Sequence, residues 1–340
     1  MENQTLHRAI TAPRRLVLLA LVVIALGVAV IASVAVGSAP SSLADLWHAV
    51  VSPSATTMDV TIRELRWPRT VLGIVVGACL GLAGVMVQGH TRNPIADPGL
   101  LGIFQGAALA VVATTALAGT VHWLVLAIMA FVGALLASVL VFTIAHLAGR
   151  GATPITLVLA GAAVAALCAA LVTAIVLFNE AALDTLRFWQ VGSLSGRSGA
   201  IELVWPFALA GGVLAVANTS SLNVLALGEE TAQSLGVSLR RSRTVGIAAI
   251  TLLAGSAVMM AGPIAFAGLV VPHLARAVVG GDYRWLIPTS AVAGAALLLV
   301  ADTVGRIVAR PGELPAAVIL AVIGAPFFVL LARRRKLVTL

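Results

Sequence analysis

Long apolar runs recur along the whole chain, and short stretches that carry most of its charged residues separate them. A bilayer core about 30 Å thick is crossed by about 20 helical residues. On that basis ten runs can be counted, at approximately residues 16–37, 69–89, 98–119, 122–147, 154–178, 203–220, 243–260, 264–279, 285–304 and 314–332. The pattern predicts an all-α integral membrane protein with about ten transmembrane helices, folded as a single domain over residues 1–340.

The eighth run is the weakest, because Pro272, His273 and Arg276 interrupt it. Hydropathy alone would therefore allow eight to ten spans. Polar groups at membrane depth are tolerated where they face protein or a water-filled cavity. A transport pathway and a buried, hydrogen-bonded kink both satisfy that condition, and the sequence leaves both open.

Composition agrees with a lipid environment. Of the 340 residues 60% are apolar and 10% are charged, and the mean hydropathy is +1.08, a balance that soluble domains do not have. The net charge of +8 comes from arginines grouped at the ends of apolar runs, as in membrane flanks. A nucleic-acid partner would instead require a basic solvated face. Cys79 and Cys168 lie inside apolar runs without metal-ligand spacing, so no metal site is predicted.

The basic residues also predict the orientation of the chain. Ten spans place both termini on one side, and cytoplasmic loops carry the excess of Lys and Arg. With the N-terminus inside, the cytoplasm receives 14 of the 21 basic residues, and the outside receives the other 7: Arg63, Arg66, Arg69, Arg187, Arg197, Arg306 and Arg310. We therefore expect cytoplasmic tails at residues 1–15 and 333–340, an external segment at 38–68 and a long cytoplasmic segment at 221–242.

Glycines at helical spacing mark a packing surface on the second run. Gly73, Gly77, Gly81 and Gly84 leave a flat strip against which another helix can pack closely in lipid. Gln88 follows on a later turn, where we expect it to hydrogen-bond between helices. No GxxxxGK[ST] or HExxH motif occurs, so any nucleotide hydrolysis belongs to another chain.

The cytoplasmic stretch at residues 228–236, GEETAQSLG, predicts a short helix. Glu229 and Glu230 suit the positive N-terminal end of the helix dipole, and Gly236 suits a left-handed stop. From these residues alone, the helix could equally be a solvated loop element.

Several stretches together resemble one family. They are residues 66–107, WQVGSL at 189–194, residues 222–243, and most of residues 262–333, including GPIAFAGLVVPHLAR and IGAPFFVLLAR. This order of motifs resembles the FecCD-type permeases of iron-siderophore, haem and cobalamin importers over roughly residues 15–335. Tyr283 and Gly305 stand where members of that family often have His and Ala.

The resemblance implies a type II ABC importer permease fold in the bacterial plasma (inner) membrane. It implies a permease rather than an enzyme, with no cofactor bound by this chain. A second permease subunit, identical or paralogous, would complete a dimer. Two ATP-binding cassette ATPase subunits inside would use ATP and Mg, and an external substrate-binding protein would deliver the chelate. An iron-siderophore is the expected substrate, with haem and cobalamin left open.

The resemblance also assigns roles to residues. Four residues would couple the chain to the ATPase: Gly228, Ala232, Leu235 and Gly236, with Ala232 and Leu235 as the buried contacts. Three arginines would receive acidic residues of the binding protein: Arg66, Arg69 and Arg306. Three residues would form a cytoplasmic gate: Thr153, Pro154 and Ile155. The alternatives are interfacial anchoring for the arginines, an internal pair with Asp302 for Arg306, and an ordinary helix start for Thr153 and Pro154.

Two rival functions remain at this point. An ion-coupled secondary transporter would need carboxylates within its spans, and Asp302 is the one fair candidate. His273 and Asp302 could form a proton relay, although the resembling family contains both residues without one. A membrane-embedded enzyme would need a metal or acid-base cluster, which a lone His273 does not supply.

Overall fold

The computed structural model describes residues 12–37, 43–51, 56–148, 153–197 and 199–333. These residues form fifteen α-helices. They are α1 (Ala12–Ala35), α2 (Leu43–Val51), α3 (Thr57–Val60), α4 (Trp67–Thr91), α5 (Ile103–Ala118), α6 (Trp123–Leu147), α7 (Pro154–Phe178), α8 (Glu180–Gln190), α9 (Ala200–Ala217), α10 (Thr219–Leu225), α11 (Glu229–Ser234), α12 (Leu239–Ala261), α13 (Ala267–Val279), α14 (Tyr283–Val308) and α15 (Ala316–Arg333).

All ten predicted runs are helical. In the described part of the chain seven helices are long and apolar enough to cross a membrane, and α5, α13 and α15 supply shorter apolar helices. The all-α prediction is confirmed. The eighth run is the shortest, since α13 begins only at Ala267 and has 13 residues.

The largest difference from the sequence prediction lies before the second span. The predicted external segment at 38–68 is not a plain loop, because it contains α2 and a helix that runs on without a break into α4. That helix begins at Thr57, where Thr56 and Asp59 form a reciprocal capping box. One π-helical stretch, Thr61–Arg66, joins α3 to α4.

Helix α4 lies at the centre of the bundle and packs against α12, α13 and α14. Its glycine strip faces backbone: a Cβ at Gly77 would overlap the Gly294 carbonyl, one at Gly81 the Ser290 carbonyl, and one at Gly84 the Gly268 carbonyl. The predicted close packing is confirmed, since only glycine allows these approaches.

The interruption in the eighth run is a hydrogen-bonded kink. Pro272 has no N–H to donate to the Gly268 carbonyl four residues earlier. The Gln88 Nε2 lies 3.5 Å from that carbonyl oxygen and 3.3 Å from the Leu269 carbonyl oxygen, and its Oε1 accepts from Arg276. Gln88 therefore joins α4 to α13, as predicted for a polar residue between helices.

Side-chain contacts show which helix ends lie together. At one end, Arg15 before the first apolar run bonds Asp282 ahead of α14, and Asn223 of α10 donates to the same carboxylate. At the other end, the last residues of α1 meet Arg66 and Arg306. This grouping agrees with the predicted topology. The first end is called inner below and the second outer, and the assignment of the inner end to the cytoplasm stays a prediction.

Candidate functional site

A network of ion pairs closes the outer end of the bundle. Arg69 near the start of α4 places Nη2 2.8 Å from Asp302 Oδ1 and Nε 3.0 Å from Asp302 Oδ2. Its Nη1 donates to Glu313 Oε2 at 2.6 Å. The bidentate geometry is the one in which arginine holds a carboxylate most strongly. Arg69 therefore links α4 to α14 through Asp302 and to the segment that joins α14 to α15 through Glu313.

Arg306 uses the same carboxylate from the other side. Its Nη2 lies 3.2 Å from Asp302 Oδ2, and its Nη1 donates to the carbonyls of Ser33 and Val36 at 2.8 Å each. The two side chains are only 2% and 1% exposed. The internal pair with Asp302, raised as an alternative from the i, i+4 spacing, is the arrangement present.

The three arginines assigned to docking, Arg66, Arg69 and Arg306, all have partners within this chain. Arg66 is buried and donates to the Val34 and Ala35 carbonyls. Arg69 and Arg306 are both satisfied by Asp302. A guanidinium committed to a buried partner gains little by leaving it for a second carboxylate. Within this chain these arginines hold α1, α4 and α14 together, and their role in docking stays a prediction.

A cavity of about 260 Å³ opens beside this network, lined by residues that include Glu64, Ser195 and Glu313. Burial alone would raise the pKa of Glu313, but the hydrogen bond and the charge of Arg69 outweigh burial and lower this pKa. Glu313 therefore stays ionised at neutral pH, with Ser195 donating to it at 3.3 Å. No pattern in the sequence points to this carboxylate, because it lies 244 positions from Arg69.

The predicted helix at the inner end is present as α11. Gly228 precedes it with φ 114° and Gly236 follows it with φ 84°, both in the region that favours glycine. Leu235 is 62% exposed, whereas Ala232 is fully buried against this chain. The Ala232 methyl group packs inside the subunit and Leu235 is the exposed residue of the pair, so the role of α11 in coupling stays a prediction that depends on Leu235. The apolar surface that α11 offers consists of Leu235 and the neighbouring Leu227, which is 66% exposed.

Helix α11 is tied to the central helices by polar contacts. Arg243 of α12 bonds Glu229 of α11 at 2.6 Å. At Ser242, the residue before Arg243, Asn218 donates to the carbonyl at 3.0 Å and accepts from the hydroxyl at 2.9 Å. The Asn218 amide also lies 2.8 Å from Nε2 of His90 in α4. These contacts form a continuous path of bonded side chains from α11 through α12 to α4.

The predicted gate residues begin α7. Thr153 caps the helix by accepting from the Thr156 N–H, Pro154 occupies the first helical position, and Ile155 is 72% exposed. These features are those of an ordinary helix start. The gate role stays a prediction, and Arg150 of the same turn lies outside the described residues.

The relay residues lie apart from each other. His273 stacks edge-on against Phe327 at 5.8 Å, whereas Asp302 belongs to the outer ion-pair network. Within the described ranges no group of three His, Cys, Asp or Glu side chains is placed to hold a metal ion.

Comparison with known proteins places these features in one family. The model of the FecCD transport family matches residues 21–334. The chain belongs to the FecCD transport family. Its members are permease subunits rather than enzymes, which confirms the predicted class of protein and its multi-pass membrane character.

Among curated members of the FecCD family, the ferric enterobactin transport system permease protein FepD of Escherichia coli (strain K12) is 44% identical over 84% of this chain and 85% of its own length. The hemin transport system permease protein HmuU of Yersinia pestis is 36% identical over 94% of each chain. A solved structure described as a metal-chelate type ABC transporter in an inward-facing conformation superposes with a TM-score of 0.81 at 26% identity, covering 94% of this chain and 99% of that one.

Proposed function

We propose that this chain is the membrane-spanning subunit of an ATP-binding cassette importer that carries a ferric siderophore, or a related chelate such as haem or cobalamin, into the cytoplasm. The family gives the class of transporter. The observation that carries the mechanism is the short helix α11, which presents Leu235 to the solvent at the inner end while Glu229 ties it to α12.

The proposed complex contains two copies of a permease subunit, two ATPase subunits at the inner face and one external binding protein. ATP and Mg act in the ATPase subunits, and this chain binds neither. ATP binding would move α11, and the Arg243–Glu229 pair and Asn218 would pass that motion to α12 and α4. The central helices would then alternate between outward and inward openings in the plasma membrane.

A ferric siderophore is favoured as the substrate by the relatives. Of the two relatives described above, FepD has the higher sequence identity to this chain, 44% against 36% for HmuU. The chain itself needs no chemistry on the chelate, only a pathway that holds it weakly enough to release it.

The rival of an ion-coupled transporter is weakened by the outer network. Such a transporter needs a carboxylate in its spans that can bind and release an ion. Asp302 is 1% exposed and paired with two arginines, so its charge is already balanced by protein groups.

Replacing Leu235 with Asp should abolish the association of the ATPase with the purified permease, because a carboxylate would have to be buried in an apolar contact. The measurement is copurification of the ATPase, with ATP-driven chelate uptake in proteoliposomes as the second readout. Leu65→Asp is the matched control, since Leu65 is 65% exposed at the outer end. Full retention of the ATPase by Leu235→Asp would place the ATPase contact elsewhere.

The proposal as a whole is tested by affinity purification of the chain from its native membrane. We expect an ATPase of the P-loop type to come with it, either with a second permease chain or with this chain alone as a dimer. Recovery without an ATPase, together with uptake that follows an ion gradient and ignores ATP, would overturn the proposal.

A further inference from the structure

A deep apolar groove opens on the side of the bundle, between α9 and α14. Its volume is about 790 Å³. One wall is a stripe along α9, and the other follows the first two turns of α14 with Leu82 of α4 at the back. The lining residues of these walls are Leu82, Ala208, Leu209, Gly212, Val213, Val216, Ile287, Pro288 and Ala291. A groove of this composition between two transmembrane helices faces hydrocarbon.

The groove has one polar end, formed by Thr219, Ser220 and Arg284. From Ala208 to Ser220 the chain rises by about 18 Å at the helical rise per residue. This length is a little more than half of the bilayer core of about 30 Å. The groove therefore spans a single leaflet, with its polar end at the inner membrane surface and its closed apolar end near the midplane.

The polar end carries an excess of positive charge. Asp282 is the nearby carboxylate, and it is already engaged by Arg15 at 3.4 Å and by Asn223 at 2.9 Å. Arg284 is exposed and has no ion pair or side-chain hydrogen bond to the part of the chain that the structure describes. Two guanidinium groups therefore lie near one carboxylate, of which Arg15 holds the ion pair. The exposed Arg284 side chain can bind an anion beside the hydroxyls of Thr219 and Ser220.

We propose that this groove binds one anionic phospholipid of the cytoplasmic leaflet. One acyl chain would lie along Gly212 and Val216 against Ile287, and the phosphate would bind Arg284 at the mouth. Basic pockets between transmembrane helices on the cytoplasmic side recognise anionic headgroups in this way. The lipid would touch α10, which borders the groove at Thr219 and leads into α11, so its binding would stabilise the inner end of the subunit.

Two variants test the two halves of the site. Gly212→Phe fills the groove, and a Cβ at Gly212 meets no atom within 4 Å, so the helix accepts the substitution. Arg284→Gln removes the charge at the mouth. Arg14→Gln is the matched control, because Arg14 is an exposed arginine at the same end of the bundle and does not line the groove.

The measurement is the amount of lipid retained by the assembled permease, determined by native mass spectrometry after equilibration with phosphatidylglycerol or phosphatidylcholine. We expect the wild type to retain one phosphatidylglycerol in preference to phosphatidylcholine. Arg284→Gln should lower this retention roughly tenfold, the size of one lost charge-assisted contact. Gly212→Phe should also lower it, because the ring occupies the place of the acyl chain, and Arg14→Gln should not. Inorganic phosphate at equal concentration should not displace the lipid.

Several outcomes would overturn the proposal. Equal retention of phosphatidylglycerol and phosphatidylcholine would show that the charge of the headgroup does not determine binding. If Gly212→Phe leaves the retention unchanged, the lipid does not bind in the groove. An equal loss in Arg14→Gln would mean that any arginine at the inner end suffices. Circular dichroism and dimer assembly of each variant show that it is folded, so that lost retention reports on the site.

Discussion

Replacing Asp302 with Ala should destabilise the subunit by about 3–5 kcal/mol, the cost of leaving buried charges without their partner. Asp302 balances Arg69 and Arg306, and its side chain is 1% exposed. Without it, Arg306 would keep only carbonyl and hydroxyl partners, and Arg69 would keep only Glu313. The expected result is a large loss of folded protein in the membrane, measured by thermal unfolding of the purified subunit and by its yield.

A second ion pair at the outer end provides the control for Asp302. Asp184 and Arg187 are bonded at 3.3 Å, but their side chains are about two-thirds exposed. Exposed pairs contribute about 0–1 kcal/mol, so Asp184→Ala should leave the unfolding temperature almost unchanged. Equal stability of Asp302→Ala and Asp184→Ala would show that the buried network does not hold α4 and α14 together. It would also favour the predicted docking role of Arg69 and Arg306 over a structural one.

Replacing Gly81 with Leu should prevent the subunit from assembling. The new side chain would overlap the carbonyl of Ser290 on α14, and backbone atoms cannot move aside as a flexible side chain would. Overpacking a core costs about 1–3 kcal/mol when side chains can adjust; here α4 and α14 would have to separate along their contact. The measurement is the amount of monodisperse protein recovered after detergent extraction.

Gly27→Leu is the matched control for the glycine strip. It introduces the same side chain into the middle of α1, where a Cβ meets no atom within 4 Å. Its recovery should equal that of the wild type. Normal recovery of Gly81→Leu would mean that α14 can tilt away from α4 without reducing the amount of folded protein. The close packing of α4 would then not be required for folding.

Helices and their packing surfaces could be predicted from the sequence because these features are local. A run of apolar residues determines a helix in lipid, and glycines four apart determine a flat face. The short helix α11 was recognisable from Glu229, Glu230 and Gly236, which mark its two ends. The position of α2 and the early start of the helix at Thr57 were missed, since the external segment has no long apolar run.

The roles of the outer arginines could not be predicted, because the deciding contact is distant along the chain. Arg69 and Asp302 are 233 positions apart, and no periodicity relates them. Arg306 and Asp302 are four positions apart on one helix, and for this pair the sequence did offer the correct alternative. The burial of Ala232 within its own chain could not be predicted for a related reason. An alanine in a short helix does not indicate whether it faces its own chain or a partner.

The short helix α13 has a consequence for where water reaches into the subunit. Its 13 residues cover only about 20 Å, less than the bilayer core of about 30 Å, and the irregular segment 262–266 precedes it at the outer end. Ala265 in that segment is exposed, and non-helical backbone at this depth is stable only against protein or water. This segment therefore faces water or the second permease subunit of the proposed dimer, and lipid does not cover the subunit at this point.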